Sequence, residues 1–321
     1  MSLVVTVSAA LWSWSSDSHP APPSAAGPPE RDGRSTGPRL APPPLGPYQV
    51  RQAKFQVESL DFTGPNIDVV IPVGAPDERF PYIAFAHGFG DDVGWDQHGG
   101  VEDYADFGPA LASYGFVVGF ARSCIIGCIS DCKSLPWDPP CFGDFYKQQL
   151  LNLVWASRSS DAMALPINRS AGYGVVGHSM GGQATAFSAA RNSSSHNISA
   201  AVLLHPFTHT YPALSVPFLV FTGTAEDTAP PAWSKALFDA PGAWPVRGLV
   251  NKVGATHHEP QSGKDYNPRL AYFAAAWLKL YLTRTPRGSG LDFEAAIFGN
   301  STGSLCGGGD GKVLDCELRR R

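Results

Sequence analysis

Short apolar runs alternate with stretches of helical spacing along most of this 321-residue chain. The runs that predict strands lie at residues 55–62, 66–71, 81–86, 116–120, 173–177, 200–204, 218–222 and 249–253. Helical spacing occupies residues 104–114, 145–157, 183–191 and Pro268–Leu282. The first two runs predict an antiparallel pair. The later alternation of short buried strands with helices predicts an α/β fold, with a mostly parallel central sheet covered by helices on both faces.

Residues 1–47 depart from this pattern. They contain ten of the 29 prolines and few large apolar residues after Trp14. Such a segment cannot bury enough apolar surface to fold, so it predicts a disordered leader before a single domain at residues 48–321. Residues 1–14 are apolar but lack the charged start of a signal peptide. A transit peptide and an unprocessed tail are the alternatives.

Charge and hydropathy exclude several classes of function. The net charge is only −4, and no basic stripe indicates a nucleic-acid partner. No run approaches the ~18–20 apolar residues that cross a bilayer. With 43% hydrophobic residues, the chain can still form a sizeable core.

Six cysteines fall into two clusters, and their number and spacing indicate the kind of cellular compartment in which the protein works. The clusters are Cys124, Cys128, Cys132 and Cys141, then Cys306 and Cys316. An even count in local clusters predicts disulfides and a secreted protein, with a plastid as the alternative location. Cys306 and Cys316 are the favoured pair, because no other cysteine lies near the C-terminus. The disulfide pairing within the first cluster stays open, and a zinc site formed by these cysteines is the alternative.

One short motif indicates chemistry. Residues Gly177-His178-Ser179-Met180-Gly181 follow an apolar strand and precede a helix. In this context G-x-S-x-G forms a sharp turn that exposes a nucleophilic serine. Two further matches, at residues 33–37 and 299–303, have no strand before them. Context therefore selects Ser179 as the residue that attacks a carbonyl.

A serine nucleophile needs a histidine base and a carboxylate that orients it. In this fold the chain order is serine, acid, histidine, each after a strand. Asp227 follows the run at 218–222, with Glu226 beside it as a possible substitute. The base is His257 or His258, after the run at 249–253. Histidines such as His205 come too early in this order.

The same chemistry needs two backbone N–H donors for the oxyanion. The backbone N–H of Met180, directly after the nucleophile, is predicted to be one of them. The loop at residues 87–90 is expected to supply the other, and the Phe89 N–H is the favoured donor.

These motifs resemble the α/β-hydrolases that include bacterial cutinases and PET hydrolases, with chlorophyllases as more distant relatives. Gly-His-Ser-Met-Gly-Gly is similar to the family's nucleophile motif, Ala-Ser-Tyr-Gly-Phe-Val-Val at 112–118 to its "ASHGFVV" segment, and Gly-Ala-Thr-His at 254–257 to its "GASH". The resemblance spans residues 55–316. It implies Asp227 as the acid, His257 as the base, Phe89 and Met180 as oxyanion donors, and a C-terminal disulfide between Cys306 and Cys316.

The resemblance also implies that Phe207 lines the acyl site, at a position where the family commonly has Trp. The Cys- and Pro-rich segment at 124–142 and the leader depart from the family pattern. We therefore expect a monomeric, cofactor-free and metal-free serine hydrolase that acts on a small-molecule or polymer ester through an acyl-enzyme. A chlorophyllase-like enzyme for a phytyl ester is the alternative, although chlorophyllases usually have Arg at the position of Met180. An inactive binding module is the alternative of another class.

Overall fold

The computed structural model describes residues 45–57, 66–88, 101–122, 143–283, 292–308 and 312–320. The chain divides into two units, Met1–Pro38 and Arg39–Arg321, and every described residue belongs to the second. The predicted leader lies almost wholly outside the described residues. The four cysteines at 124–141 and Phe89 lie outside them as well.

Nine strands in the described residues form one sheet, in the spatial order β1-β2-β4-β3-β5-β6-β7-β8-β9. They are β1 Gln49–Phe55, β2 Ile67–Val73, β3 Tyr82–Ala86, β4 Val117–Ala121, β5 Tyr173–His178, β6 Ile198–Leu204, β7 Phe218–Gly223, β8 Arg247–Lys252 and β9 Val313–Arg319. Strands β3 to β8 pair in parallel. Strands β1 and β2, and β9 at the other edge, pair antiparallel. The mostly parallel sheet is therefore confirmed.

Helices cover both faces of this sheet. They are α1 Phe107–Ser113, α2 Gly143–Arg158, α3 Ser160–Met163, α4 Met180–Arg191, α5 Pro231–Phe238, α6 Pro268–Leu282 and α7 Phe293–Phe298. Helices α1, α6 and α7 pack on one face, and α2 to α5 contribute to the core on the other. Among the described helices, none combines the length and apolar character needed to cross a membrane.

Each central strand contributes to two cores because neighbouring side chains point to opposite faces. In β7, Leu219 and Phe221 join the core under α1 and α6, whereas Phe218 and Val220 join the core under α2 and α5. Burial on both faces explains why these strands are continuous apolar runs.

Some boundaries differ from the predictions. Of the strand predicted at 55–62, residues 58–62 lie outside the described residues. The first strand is Gln49–Phe55, and it pairs antiparallel with β2. This edge strand exposes its polar residues, so it gives no apolar signal. Helices α3, α5 and α7 and strand β9 are not among the predicted elements, because they are short or partly exposed. Strand β9 carries Cys316, and the predicted disulfide with Cys306 is confirmed.

Candidate active site

Ser179 lies at the turn between β5 and α4 with φ of 55° and ψ of −121°. A positive φ is unfavourable for a non-glycine residue, and such strain is typical of functional sites. The two flanking glycines make the turn possible. A Cβ on Gly181 would lie 2.1 Å from the Ala86 carbonyl oxygen, and one on Gly177 would lie 2.1 Å from the Gly181 carbonyl oxygen. The G-x-S-x-G pattern is therefore a steric requirement of this turn.

The loop after β8 brings His257 to Ser179. His257 Nε2 lies 2.8 Å from Ser179 Oγ, and both side chains are buried. This distance is short enough for proton transfer from the hydroxyl to the ring. His258 turns elsewhere, and its Nδ1 contacts Gln261. Of the two candidate histidines, the structure brings only His257 to the serine.

The carboxylate beside His257 belongs to Glu226, not to the predicted Asp227. Glu226 Oε1 lies 2.8 Å from His257 Nδ1, although the N–H···O alignment is not ideal. Asp227 is exposed, and its carboxylate accepts a hydrogen bond from Thr228 Oγ1. Neighbouring residues in this turn point in different directions, so only one of the two carboxylates can face the histidine.

The Glu226 carboxylate is surrounded by donors. Its Oε1 accepts the backbone N–H groups of Thr228 and Ala229, at 3.1 and 2.9 Å. Its Oε2 lies 2.7 Å from His205 Nδ1. Burial alone would raise the pKa of Glu226, but the contacts with His205 and His257 outweigh it and hold this pKa well below its usual range. Glu226 is therefore an ionised carboxylate at neutral pH.

A second histidine, His178, connects three segments of the site. Its Nε2 lies 2.8 Å from the His257 carbonyl oxygen, so this nitrogen carries the proton. Its Nδ1 then accepts from the Tyr104 hydroxyl at 2.9 Å, and that hydroxyl accepts the Gly88 N–H at 2.9 Å. Burial, together with the nearby His257 and His205, lowers the pKa of His178 well below its usual value. The neutral ring thus holds the base loop and the loop after β3 in place. Tyr104 was not predicted, since nothing in its sequence context marks it.

Met180 is the first residue of α4, where backbone N–H groups have no partner within the helix. The helix N-terminus also favours negative charge. Gly88 passes close to the serine, because a Cβ there would lie 2.9 Å from Ser179 Cβ. Phe89, which follows it, lies outside the described residues and stays a prediction.

Phe207 lies directly beside the nucleophile. Its backbone N–H donates to the Ser179 carbonyl at 2.9 Å. Its half-buried ring lies 5.4 Å from Trp233 and 5.2 Å from His209, measured between ring centroids. His209 and Trp233 are in turn 4.2 Å apart. Neither had been predicted, because each comes from a loop or helix end whose path the sequence does not reveal.

The ring nitrogens of His178, His205 and His257 all lie against protein groups. Within the ranges that the structure describes, no three His, Cys, Asp or Glu side chains are arranged to hold a metal ion.

A strained serine after a parallel strand, with a histidine and a carboxylate from later strand ends, is the arrangement of an α/β-hydrolase. The chain matches the PET hydrolase-like family (PETase) over residues 100–293, more than half of its length, and it belongs to this family. It is 29% identical over 247 residues to a bis(hydroxyethyl) terephthalate hydrolase of Streptomyces coelicolor (strain A3(2)). That match covers 74% of this chain and 68% of the relative. The protein is thus a hydrolase of carboxylic esters.

Proposed function

We propose that this enzyme cleaves carboxylic esters through a Ser179–His257–Glu226 triad and an acyl-enzyme. The observation that carries the proposal is the continuous contact from Ser179 Oγ through the His257 ring to the Glu226 carboxylate, 2.8 Å at each step. His257 would take the serine proton during attack and pass it to the leaving alcohol. Water would then release the acyl group by the same route. Glu226 would stabilise the imidazolium that forms at each stage.

The negative charge on the tetrahedral intermediate would lie at the N-terminus of α4. Met180 is the first residue of that helix, and we propose its backbone N–H as the first oxyanion donor. We propose Phe89 as the second donor, on its position directly after Gly88, which packs against the serine.

We further propose that the acyl group is aromatic. The Phe207 backbone N–H donates to the Ser179 carbonyl, and the Phe207 ring lies 5.4 Å from the Trp233 ring. Aromatic rings pair favourably with one another. The name of the Streptomyces relative, a bis(hydroxyethyl) terephthalate hydrolase, supports a hydroxyethyl ester of an aromatic acid as the first substrate to try.

The decisive experiment combines covalent labelling with product analysis. A fluorophosphonate probe should label the wild type and not Ser179→Ala, and only the wild type should release the monoester from bis(hydroxyethyl) terephthalate. Ser301→Ala is the matched control, because Ser301 lies in another G-x-S-x-G match that has no strand before it. Turnover by Ser179→Ala equal to that of the wild type would exclude the proposed mechanism. Activity on a phytyl ester alone would favour the chlorophyllase-like alternative.

The aromatic acyl site has its own test. Phe207→Ala should lower kcat/KM for the terephthalate ester about tenfold, the value of roughly one aromatic contact. The loss for p-nitrophenyl acetate, whose acyl group has no ring, should be under twofold. Equal losses for both substrates would remove Phe207 from the acyl site and leave the triad unaffected.

We also propose a secreted location. The Cys306–Cys316 disulfide supports an oxidising compartment, where such bonds persist. A thiol titration of the native protein tests this proposal, and six reactive thiols before reduction would contradict it.

A further inference from the structure

Behind the triad lies a second buried row of charged groups, centred on His205. This residue follows β6 and is fully buried. Its Nδ1 lies 2.7 Å from Glu226 Oε2, and its Nε2 lies 3.1 Å from Glu259 Oε2. Its backbone has a positive φ of 45°, and its N–H donates to the Phe221 carbonyl at 2.8 Å. The ring is therefore fixed between two carboxylates.

Glu259 is itself held by cationic and polar donors. Its Oε1 accepts from Lys252 Nζ at 2.9 Å and from Asn267 Nδ2 at 2.7 Å. Contacts within hydrogen-bond distance thus run without a break from the nucleophile through His257, Glu226 and His205 to Glu259 and Lys252. None of this row beyond Glu226 is needed for an ordinary serine triad.

The geometry requires a charged imidazole at His205. A neutral imidazole carries one N–H and one lone pair, so one of its nitrogens would direct a lone pair at a carboxylate oxygen. With both nitrogens protonated, each carboxylate receives a donor. Burial lowers the pKa of His205, but Glu226 and Glu259 outweigh burial and raise it to about 9. The other titratable groups nearby are His257, His178 and Lys252.

We propose that His205 is a positioning residue that, as an imidazolium at neutral pH, holds the Glu226 carboxylate against His257, with Glu259 as its own counter-ion. The proposal rests on the function above, in which Glu226 is the acid of the triad. His205 would do two things. It would fix the carboxylate that orients His257, and it would balance part of its negative charge, so that His257 is not held protonated when it has to act as a base.

The charge effect predicts a shift in the pH profile. In His205→Asn the amide can still donate to Glu226, but the positive charge is gone. Glu226 then favours the protonated form of His257 more strongly, so the acidic limb of kcat/KM moves to higher pH. The His205 and His257 rings lie 6.2 Å apart. At an effective dielectric constant of ~20 this separation corresponds to a shift on the order of 1–2 pH units.

The experiment measures kcat and KM from pH 5 to 9.5 for the wild type, His205→Asn and the control His196→Asn. His196 lies in the exposed turn after α4, where its Nδ1 lies 3.0 Å from Ser195 Oγ. We expect the acidic limb to move upward in His205→Asn alone, with kcat falling at least tenfold at pH 6.5 and KM changing less than twofold. A purely structural role would lower activity at all pH values without moving the limb, and that result would overturn the proposal.

A second measurement uses the wild type, so it does not depend on the variant folding. Nitrogen-15 NMR of labelled histidines should show His205 with both ring nitrogens protonated at pH 7.5. In Glu259→Gln its titration midpoint should move to lower pH, because one counter-ion is lost. A neutral His205 ring in the wild type at pH 7.5 would overturn the proposal.

The two proposals fail in different ways. If the wild type has no Ser179-dependent turnover, the proposed function fails, whatever the charge of His205. If the wild type is active but its pH profile does not respond to His205→Asn, only the role of His205 fails.

Discussion

The two neighbouring carboxylates at positions 226 and 227 offer a direct test of the site. Glu226→Gln removes the charge beside His257 and keeps the side-chain size. Asp227→Asn makes the same chemical change one residue later, on a side chain that is exposed and contacts Thr228. If the carboxylate against His257 orients and stabilises it, only the first variant should lose catalysis.

The size of the loss follows from the geometry. The carboxylate oxygen lies 2.8 Å from His257 Nδ1. With an effective dielectric constant of ~20, two unit charges at this distance interact by about 6 kcal/mol. In the transition state this energy corresponds to roughly four powers of ten in rate. The substitution also leaves His205 without one counter-ion, which favours its neutral form and offsets part of the change. We therefore expect kcat to fall by a factor of about 10³–10⁴ in Glu226→Gln, and by less than twofold in Asp227→Asn.

The assay is kcat and KM with p-nitrophenyl acetate at pH 7.5, after circular dichroism and a urea titration have shown that each variant is folded. A folded Glu226→Gln enzyme that keeps more than a tenth of wild-type kcat would refute the assignment. A hundredfold loss in Asp227→Asn would refute it independently and would restore Asp227 as the acid.

Three further predictions concern stability and packing. Because the pKa of His205 is raised from 6.5 to about 9 on folding, its contribution is complete below pH 6.5 and is lost as pH rises through 9. Between pH 6.5 and 10 the wild type should thus lose about 3 kcal/mol more unfolding free energy than His205→Asn in urea titrations, and equal losses would contradict the charge assignment. Gly181→Ala should lower kcat/KM at least ~100-fold, because its Cβ would lie 2.1 Å from a backbone oxygen of β3; Gly303→Ala, whose Cβ meets only one atom at 3.8 Å, should have little effect. Replacing both Cys306 and Cys316 by Ser opens a link of sequence separation 10 and should lower the unfolding free energy by about 2–3 kcal/mol, whereas unchanged stability would show that the link does not constrain the unfolded chain.

Much of this site could be predicted because the sharp turn at the nucleophile requires small residues at fixed positions, and these are visible in the sequence. A strained serine between two glycines follows an apolar strand only where the turn is needed, so Ser179 was identifiable among three pattern matches. The position after the last parallel strand predicted His257 or His258 as the base, and the resemblance of Gly-Ala-Thr-His to the family motif selected His257. The positions of the central strands along the chain were equally readable, since burial on both faces makes them continuous apolar runs.

The identity of the acid, the contacts of His205 and the edge strands of the sheet could not be predicted, because they depend on side-chain direction and on pairing at the sheet edges. Nothing in the sequence decides whether residue 226 or 227 of one turn faces inward, and the position after the strand fits both. His205 comes too early in the chain order to be the base, and the structure brings His257 to Ser179 instead. Chain order says nothing about the two carboxylates that meet around His205. Strands β1 and β9 were missed because exposed, polar strands carry no apolar run.

The strands at the two edges of the sheet have a consequence for association. The inner parallel strands are apolar, and an uncovered edge among them would offer free backbone groups to another chain. Strand β1 instead exposes Arg51 and Lys54 at one edge, and β9 carries Asp315, Glu317 and Arg319 at the other. Charged side chains on an edge strand oppose the addition of a further strand. The charged residues that leave these two strands without an apolar run also protect the folded domain from edge-to-edge aggregation.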